Sequence, residues 1–181
     1  MPRDARTYRI SAREVGERGP VATIRIDDRP YTLDDALEQG LRRHETGRVD
    51  QAVSIYREIL AVDPAHADSL HLMGLVAYQN GQSDLALEYF TTAIAHRPNR
   101  APYHNNLANA LSDLGRLEEA VVHYRTALDL RPDTAEIQGN LGHVLGLLER
   151  WDEAVPHFHA ALSRKPDAPE RGLKVLPMRR G

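Results

Sequence analysis

The chain has 181 residues, 41% hydrophobic and 27% charged, a balance that suits one domain with a buried core and excludes a disordered or fibrous chain. It contains no cysteine, which excludes disulfides, thiolate metal sites and cysteine nucleophiles. Its net charge of −3 is unevenly placed: residues 1–31 carry seven Arg against five acids, residues 164–181 six bases against two acids, and residues 32–163 ten bases against nineteen acids. An acidic body repels phosphate backbones, so nucleic acid is not an expected partner.

Residues 1–32 read as an N-terminal arm or hairpin. The first nineteen residues mix charges without a continuous apolar run and so do not resemble a secretory signal. No stretch elsewhere approaches the length of a membrane span, and the expected location is the cytoplasm with no membrane partner. Alternation of Tyr8, Ile10 and Ala12, then Val21, Thr23, Ile24 and Ile26, predicts a short hairpin turning at Gly16–Pro20. An isolated hairpin is marginal in water. Three readings follow: a cap on the next element, a loose arm, or part of a neighbouring domain.

From residue 33 the chain repeats itself every thirty-four residues. Pro64, Pro98, Pro132 and Pro166 share that spacing, as do Ala52, Ala86, Ala120 and Ala154, and the aromatics Tyr56, Phe90, Tyr124 and Phe158. A small residue recurs at Gly40, Gly74, Ala108 and Gly142, and a second at Gly47, Gly81 and Gly115, with Glu149 in the last place. Apolar residues within a unit fall three and four apart: Leu107, Leu111 and Leu114 before Gly115, then Leu117, Ala120, Val121, Tyr124, Ala127 and Leu128 after it. Each unit is therefore two amphipathic helices about a glycine turn. The proline stops the second helix, and the small residues let two helices approach closely beside an aromatic. The units are residues 33–66, 67–100, 101–134 and 135–168.

Residues 169–181 are a short basic tail or a partial capping helix. A stack of repeats needs a polar-faced final helix, and residues 168–176 begin like one, with Leu173, Val175 and Leu176 available for burial before Pro177 stops it. So short a cap predicts either a longer protein or end-to-end self-association through the last unit.

This pattern resembles the tetratricopeptide repeat family over residues 33–168, with a small residue at the eighth position of the unit, alanine at the twentieth and twenty-seventh, an aromatic at the twenty-fourth and proline at the thirty-second. Unit one departs from it with Ile59 at the twenty-seventh position, and with Ala36 and Arg43 where larger apolar residues are usual. Unit four places Pro156 in its second helix. The resemblance implies an all-α, right-handed solenoid of four helix-turn-helix repeats, its first helices lining a concave groove that binds a protein or peptide partner. It implies a scaffold and not an enzyme, with no catalytic residues, no cofactor and no metal.

Carrying the family's groove positions onto this chain gives a list in which His71, Tyr78, Asn105, Asn106, Asn109, Asp113, Asn140 and His143 are the peptide-binding candidates. The full set of groove positions contains six acids, Asp34, Glu38, Glu45, Asp68, Asp113 and Glu136, and no Lys or Arg. An asparagine amide pairs with both C=O and N–H of an extended backbone whatever that segment's side chains are. The run of asparagines is similar to the ladder in the tetratricopeptide region of the O-linked N-acetylglucosamine transferase. The competing reading is that these amides cap or bridge adjacent helices. The cationic clamp of family members that grip acidic chaperone tails is missing, so the expected ligand is an extended neutral or basic segment. An alternative is that the chain recruits substrate for a glycosyltransferase or sulfotransferase domain outside it.

Nine histidines raise the question of a metal, but His157 and His159 are two apart on a helix, where shared ligation needs three or four. No G-x-S-x-G, P-loop or G-x-G-x-x-G motif is present. Trp151, at the start of a second helix, is expected to pack in the core.

Overall fold

A computed structural model describes residues 21–163 of the chain. Two strands, β1 (Thr23–Ile26) and β2 (Arg29–Thr32), precede eight helices. The helices are α1 (Leu33–Glu45), α2 (Val49–Val62), α3 (Ala67–Gln79), α4 (Ser83–His96), α5 (Ala101–Asp113), α6 (Leu117–Leu130), α7 (Ala135–Leu147) and α8 (Trp151–Ser163). First and second helices both begin at the thirty-four-residue interval of the sequence. The architecture is the expected right-handed solenoid of four helix pairs, preceded by a hairpin.

One backbone device makes all four turns within the units. Gly47, Gly81 and Gly115 have φ of 76°, 73° and 72°, and Glu149 is held at 59° in the same place. At each, the next amide reaches back five residues, as from Arg116 to Leu111 and from Arg150 to Leu145, both at 2.9 Å, which closes the first helix in the manner of a Schellman cap. Beyond the turn, the aromatic of the second helix lies against the small residue of the first. A Cβ on Gly74 would come within 2.6 Å of the Phe90 ring, and one on Gly142 within 3.0 Å of Phe158. Tyr56, Phe90 and Tyr124 are fully buried, and with the alanines they form the centre of the stack.

The hairpin of the described residues has a turn that the alternation did not announce. It closes at Asp27–Asp28, with Ile26 opposite Arg29, and both aspartates have positive φ (49° and 64°) as a two-residue type I′ loop requires. The short side chain of Asp tolerates that region, which makes a turn without glycine feasible. The sequence-predicted turn at Gly16–Pro20, and Tyr8, Ile10 and Ala12, lie outside the described residues. Ile24 and Ile26 are buried with Ala36, Ile55 and Ile59, so the hairpin lies on α1 and α2. This explains the departures of unit one. Isoleucine at position 59 fills space beneath the hairpin, small Ala36 makes room for it, and Arg43 ties it down through a 2.8 Å ion pair with Asp27.

Trp151 corrects another expectation: its side chain is 59% exposed. Together with Val155, Phe158 and Leu162 it forms an apolar stripe on α8 at helical spacing. The equivalent positions of α6 are Leu117, Val121, Tyr124 and Leu128, of which the last three are buried. In α6 they are covered by the next unit. Among the described residues α8 has no such neighbour, and the stretch expected to cap it, residues 168–176, lies outside them.

Curvature follows from how the layers meet. The backbones of successive first helices come close, α3 to α5 and α5 to α7, whereas those of successive second helices stand further apart and α6 reaches α8 through the Arg125–Glu153 ion pair. The first-helix layer is therefore the tighter, inner one, and the second helices splay apart.

Candidate functional site

The inner layer presents a ladder of side-chain hydrogen bonds between neighbouring units. Residues thirty-five apart pair repeatedly: His44 with Gln79 at 3.2 Å, Asp68 with Tyr103 at 2.6 Å, His71 with Asn106 at 2.8 Å, and Tyr78 with Asp113 at 2.7 Å. The repeat length is thirty-four, so each rung joins one position of a first helix to the next position of its neighbour. Stacking parallel helices with a one-residue offset produces this interval.

The asparagines occupy the middle of the ladder. Asn106 Nδ2 donates to Nε2 of His71, and Asn105 Nδ2 makes a long 3.4 Å bond to Asn106 Oδ1. Asn109 Oδ1 accepts from the Tyr124 hydroxyl at 2.5 Å and from Asn140 Nδ2 at 3.2 Å. The amide pairing across units three and four is thus Asn109 with Asn140. Asn106, Asn109 and Asn140 are half-buried, whereas Asn105 is buried and its Oδ1 is sealed without a partner. The Nδ2 group of Asn109 and the Oδ1 of Asn140 make no hydrogen bond within the described residues and are not sealed, while Asn106 Nδ2 makes the one bond to His71.

Two neighbours tune this surface. His71 is buried, stacked on Tyr103 with ring centroids 4.5 Å apart, and burial above all lowers its pKa to about 4. It is a neutral acceptor near pH 7, which fixes the orientation of the Asn106 amide. Burial alone would raise the Asp68 carboxyl, but the Tyr103 hydroxyl and the guanidinium groups of Arg97 and Arg100 outweigh it and hold the pKa below the usual range. Those arginines lie 2.6 and 3.3 Å from Asp68. The groove positions of the sequence include neither, because both come from the connection between α4 and α5. The signal was their place beside Pro98, one repeat after Asp63-Pro64.

Tyr78 is pushed up to about 12, by burial and then by Asp113, so it remains a hydroxyl donor. Asp113 is exposed at the far end of the rung, and His143 is exposed on α7 without a bonded partner in the described residues. The candidates thus lie on three consecutive first helices, α3, α5 and α7. Among the described residues no cluster of three or more His, Asp or Glu has the arrangement to hold a metal ion, and no helix is long and apolar enough to cross a membrane.

Three family profiles match this architecture: a TPR repeat over residues 108–148, a tetratricopeptide repeat over residues 134–165, and anaphase-promoting complex, cyclosome, subunit 3 over residues 45–127. The chain carries tetratricopeptide-type repeats across residues 45–165, an architecture that supports a role in protein–protein interaction. Similar solved structures include MamA of AMB-1, with 28% identity, a TM-score of 0.63 and coverage of 77% of this chain and 76% of that one. MamA of MSR-1 is 26% identical, with a TM-score of 0.61 and coverage of 75% and 78%. MamA of Desulfovibrio magneticus RS-1, at 22% identity and a TM-score of 0.66 over 75% and 78%, shares the fold. No curated protein matches significantly.

Proposed function

We propose that the chain is a non-catalytic scaffold whose inner face, centred on Asn106, Asn109 and Asn140, holds an extended peptide by its main chain. The supporting observation is the row of half-buried amides in which the Nδ2 of Asn109 and the Oδ1 of Asn140 are unpaired yet open. A buried-side amide anchored at one end is preorganised, so a peptide backbone gains hydrogen bonds without ordering a free side chain. The bridging role of these amides complements peptide binding: the bonds to His71, Tyr124 and each other set the directions in which the spare groups point. Tyr78, Asp113, His71 and His143 flank the row, and the acids Asp34, Asp113 and Glu136 favour a neutral or basic segment over an acidic one.

The test is to isolate a partner from the native host, map its bound segment, and titrate that segment as a synthetic peptide against wild type and Asn140→Ala. A loss of at least tenfold in affinity with an unchanged helical spectrum is expected, as for removal of one or two hydrogen bonds in a desolvated site. Undiminished binding by Asn140→Ala and by the Asn106→Ala, Asn140→Ala double variant would sink the reading.

A further inference from the structure

The outer layer has a feature that the inner-face reading does not use. Between α4 and α6, above α5, lies a cavity of about 270 Å³ with Leu87, Ile94, Leu107 and Leu111 among its lining residues. It shares Leu87, Thr91 and Arg116 with a wider, shallower trough that reaches Asp84 and Glu88. The cavity has a sequence cause. One unit earlier, the positions of Glu119 and His123 are held by Leu85 and Tyr89, and the Tyr89 ring packs against the apolar core around Met73. Replacing a phenol ring by an imidazole, where second helices already splay apart, leaves the space open.

His123, one of the lining residues, supplies a polar group there. Nε2 of His104 lies 2.8 Å from the Pro98 carbonyl, which only accepts, so this nitrogen carries the proton and Nδ1 of His104 is an acceptor. Nδ1 of His123, 3.1 Å away, must then be the donor. In the neutral ring Nε2 is left as a lone pair, and it makes no hydrogen bond within the described residues. Burial first, and then His104, lower the pKa of His123, which favours this neutral form. Around the opening stand the carboxylates of Asp84, Glu88 and Glu119 against one guanidinium, Arg116, itself held by Glu119 at 2.7 Å.

We propose that this outer face carries a second peptide site, in which the cavity receives the side chain of a tyrosine flanked by basic residues, its hydroxyl donating to Nε2 of His123. The apolar floor takes the ring, and the space is of the kind that Tyr89 fills from within at the preceding junction. The acceptor selects a ring bearing a donor over phenylalanine. The acidic rim selects its neighbours by charge.

The probe is the peptide acetyl-Arg-Tyr-Arg-amide, titrated into the full chain and followed by amide and side-chain NMR beside acetyl-Arg-Ala-Arg-amide. Saturable shifts at Thr91, Leu107, Leu111 and His123 are expected, with the alanine peptide roughly tenfold weaker or worse. His123→Tyr fills the cavity from within and should abolish them. Should that variant not fold, Asp84→Lys, on the rim and clear of the core, should weaken binding severalfold. Asn140→Ala should leave it unchanged, which separates this site from the inner face. Equal binding of both peptides, or shifts confined to residues around Asn109, would overturn the proposal. So would concentration-dependent shifts of the cavity residues in peptide-free protein, which would place a second copy there instead.

Discussion

Asn106 is tied to two neighbours at once, its Nδ2 donating to His71 and its Oδ1 accepting from Asn105, and the arrangement depends on the histidine being neutral. His71 has a folded pKa of about 4 against an ordinary 6.5, so between these values the unfolded chain takes up a proton that the folded chain refuses. Its contribution to stability is complete above pH 6.5 and is lost as pH falls toward 4, roughly 3 kcal/mol in all. The lowered values of His123 and His157 act in the same direction. Urea denaturation at pH 7 and pH 5 should therefore give the lower midpoint at pH 5, and His71→Gln should narrow the difference. A second residue-scale case is Glu149, the one turn residue of four that is not glycine yet shares its positive φ. Replacing Glu149 by Gly should raise stability by roughly 0.5–1 kcal/mol, since the left-handed backbone then costs no Cβ contact. An unchanged or lower denaturation midpoint would contradict that. The vacancy at this position was legible in the thirty-four-residue register, whereas the partners of Asn106 were not. Register identifies equivalent positions, but only the offset between stacked helices says which positions meet.

Individual helices repeat the same logic with different security. In α2, α4 and α6 the alanine and aromatic faces are covered on both sides, while in α8 Ala154 alone is buried and Trp151, Val155, Phe158 and Leu162 are left exposed. Pro156 also stands inside α8, five residues beyond its start, where it removes a backbone donor and crowds the preceding turn. Replacing Pro156 by Ala should stabilise the chain by roughly 1–3 kcal/mol in chemical denaturation. Amide hydrogen exchange should find α8 among the least protected helices of the wild type and slower in the variant. Uniform protection across α2–α8 would mean that the helix gains stability from something beyond its visible contacts. The hairpin shows the opposite case. Its strands are short, but two isoleucines buried on α1 and α2 and the Arg43–Asp27 pair hold it, and unit one is altered at positions 36, 43 and 59 to receive it. Alternation announced its first strand, through Thr23, Ile24 and Ile26. The Asp27–Asp28 turn was not read from the sequence because Asp-Asp is a weaker turn signal than Asn-Gly or Asp-Gly.

At the scale of the molecule, charge and curvature act together. The body is acidic, with ten bases against nineteen acids over residues 32–163, and the proposed ligand of its inner face is a neutral or basic segment. Binding of such a segment should weaken several-fold between about 50 and 500 mM salt, mainly through the association rate, because exposed charges are screened over the Debye length. Salt-independent affinity would shift the weight to the amides alone. By itself the sequence determined the repeat length, the four helix pairs and the acidity of the body, because these depend on spacing along one chain. Only the tertiary structure decided that Asn109 rather than Asn106 meets Asn140, that Arg97 and Arg100 reach Asp68, that Asn105 is sealed, and that a cavity opens beside His123. Such contacts join neighbouring units, and they are set by the offset and splay of packed helices, which no periodicity within a single helix encodes.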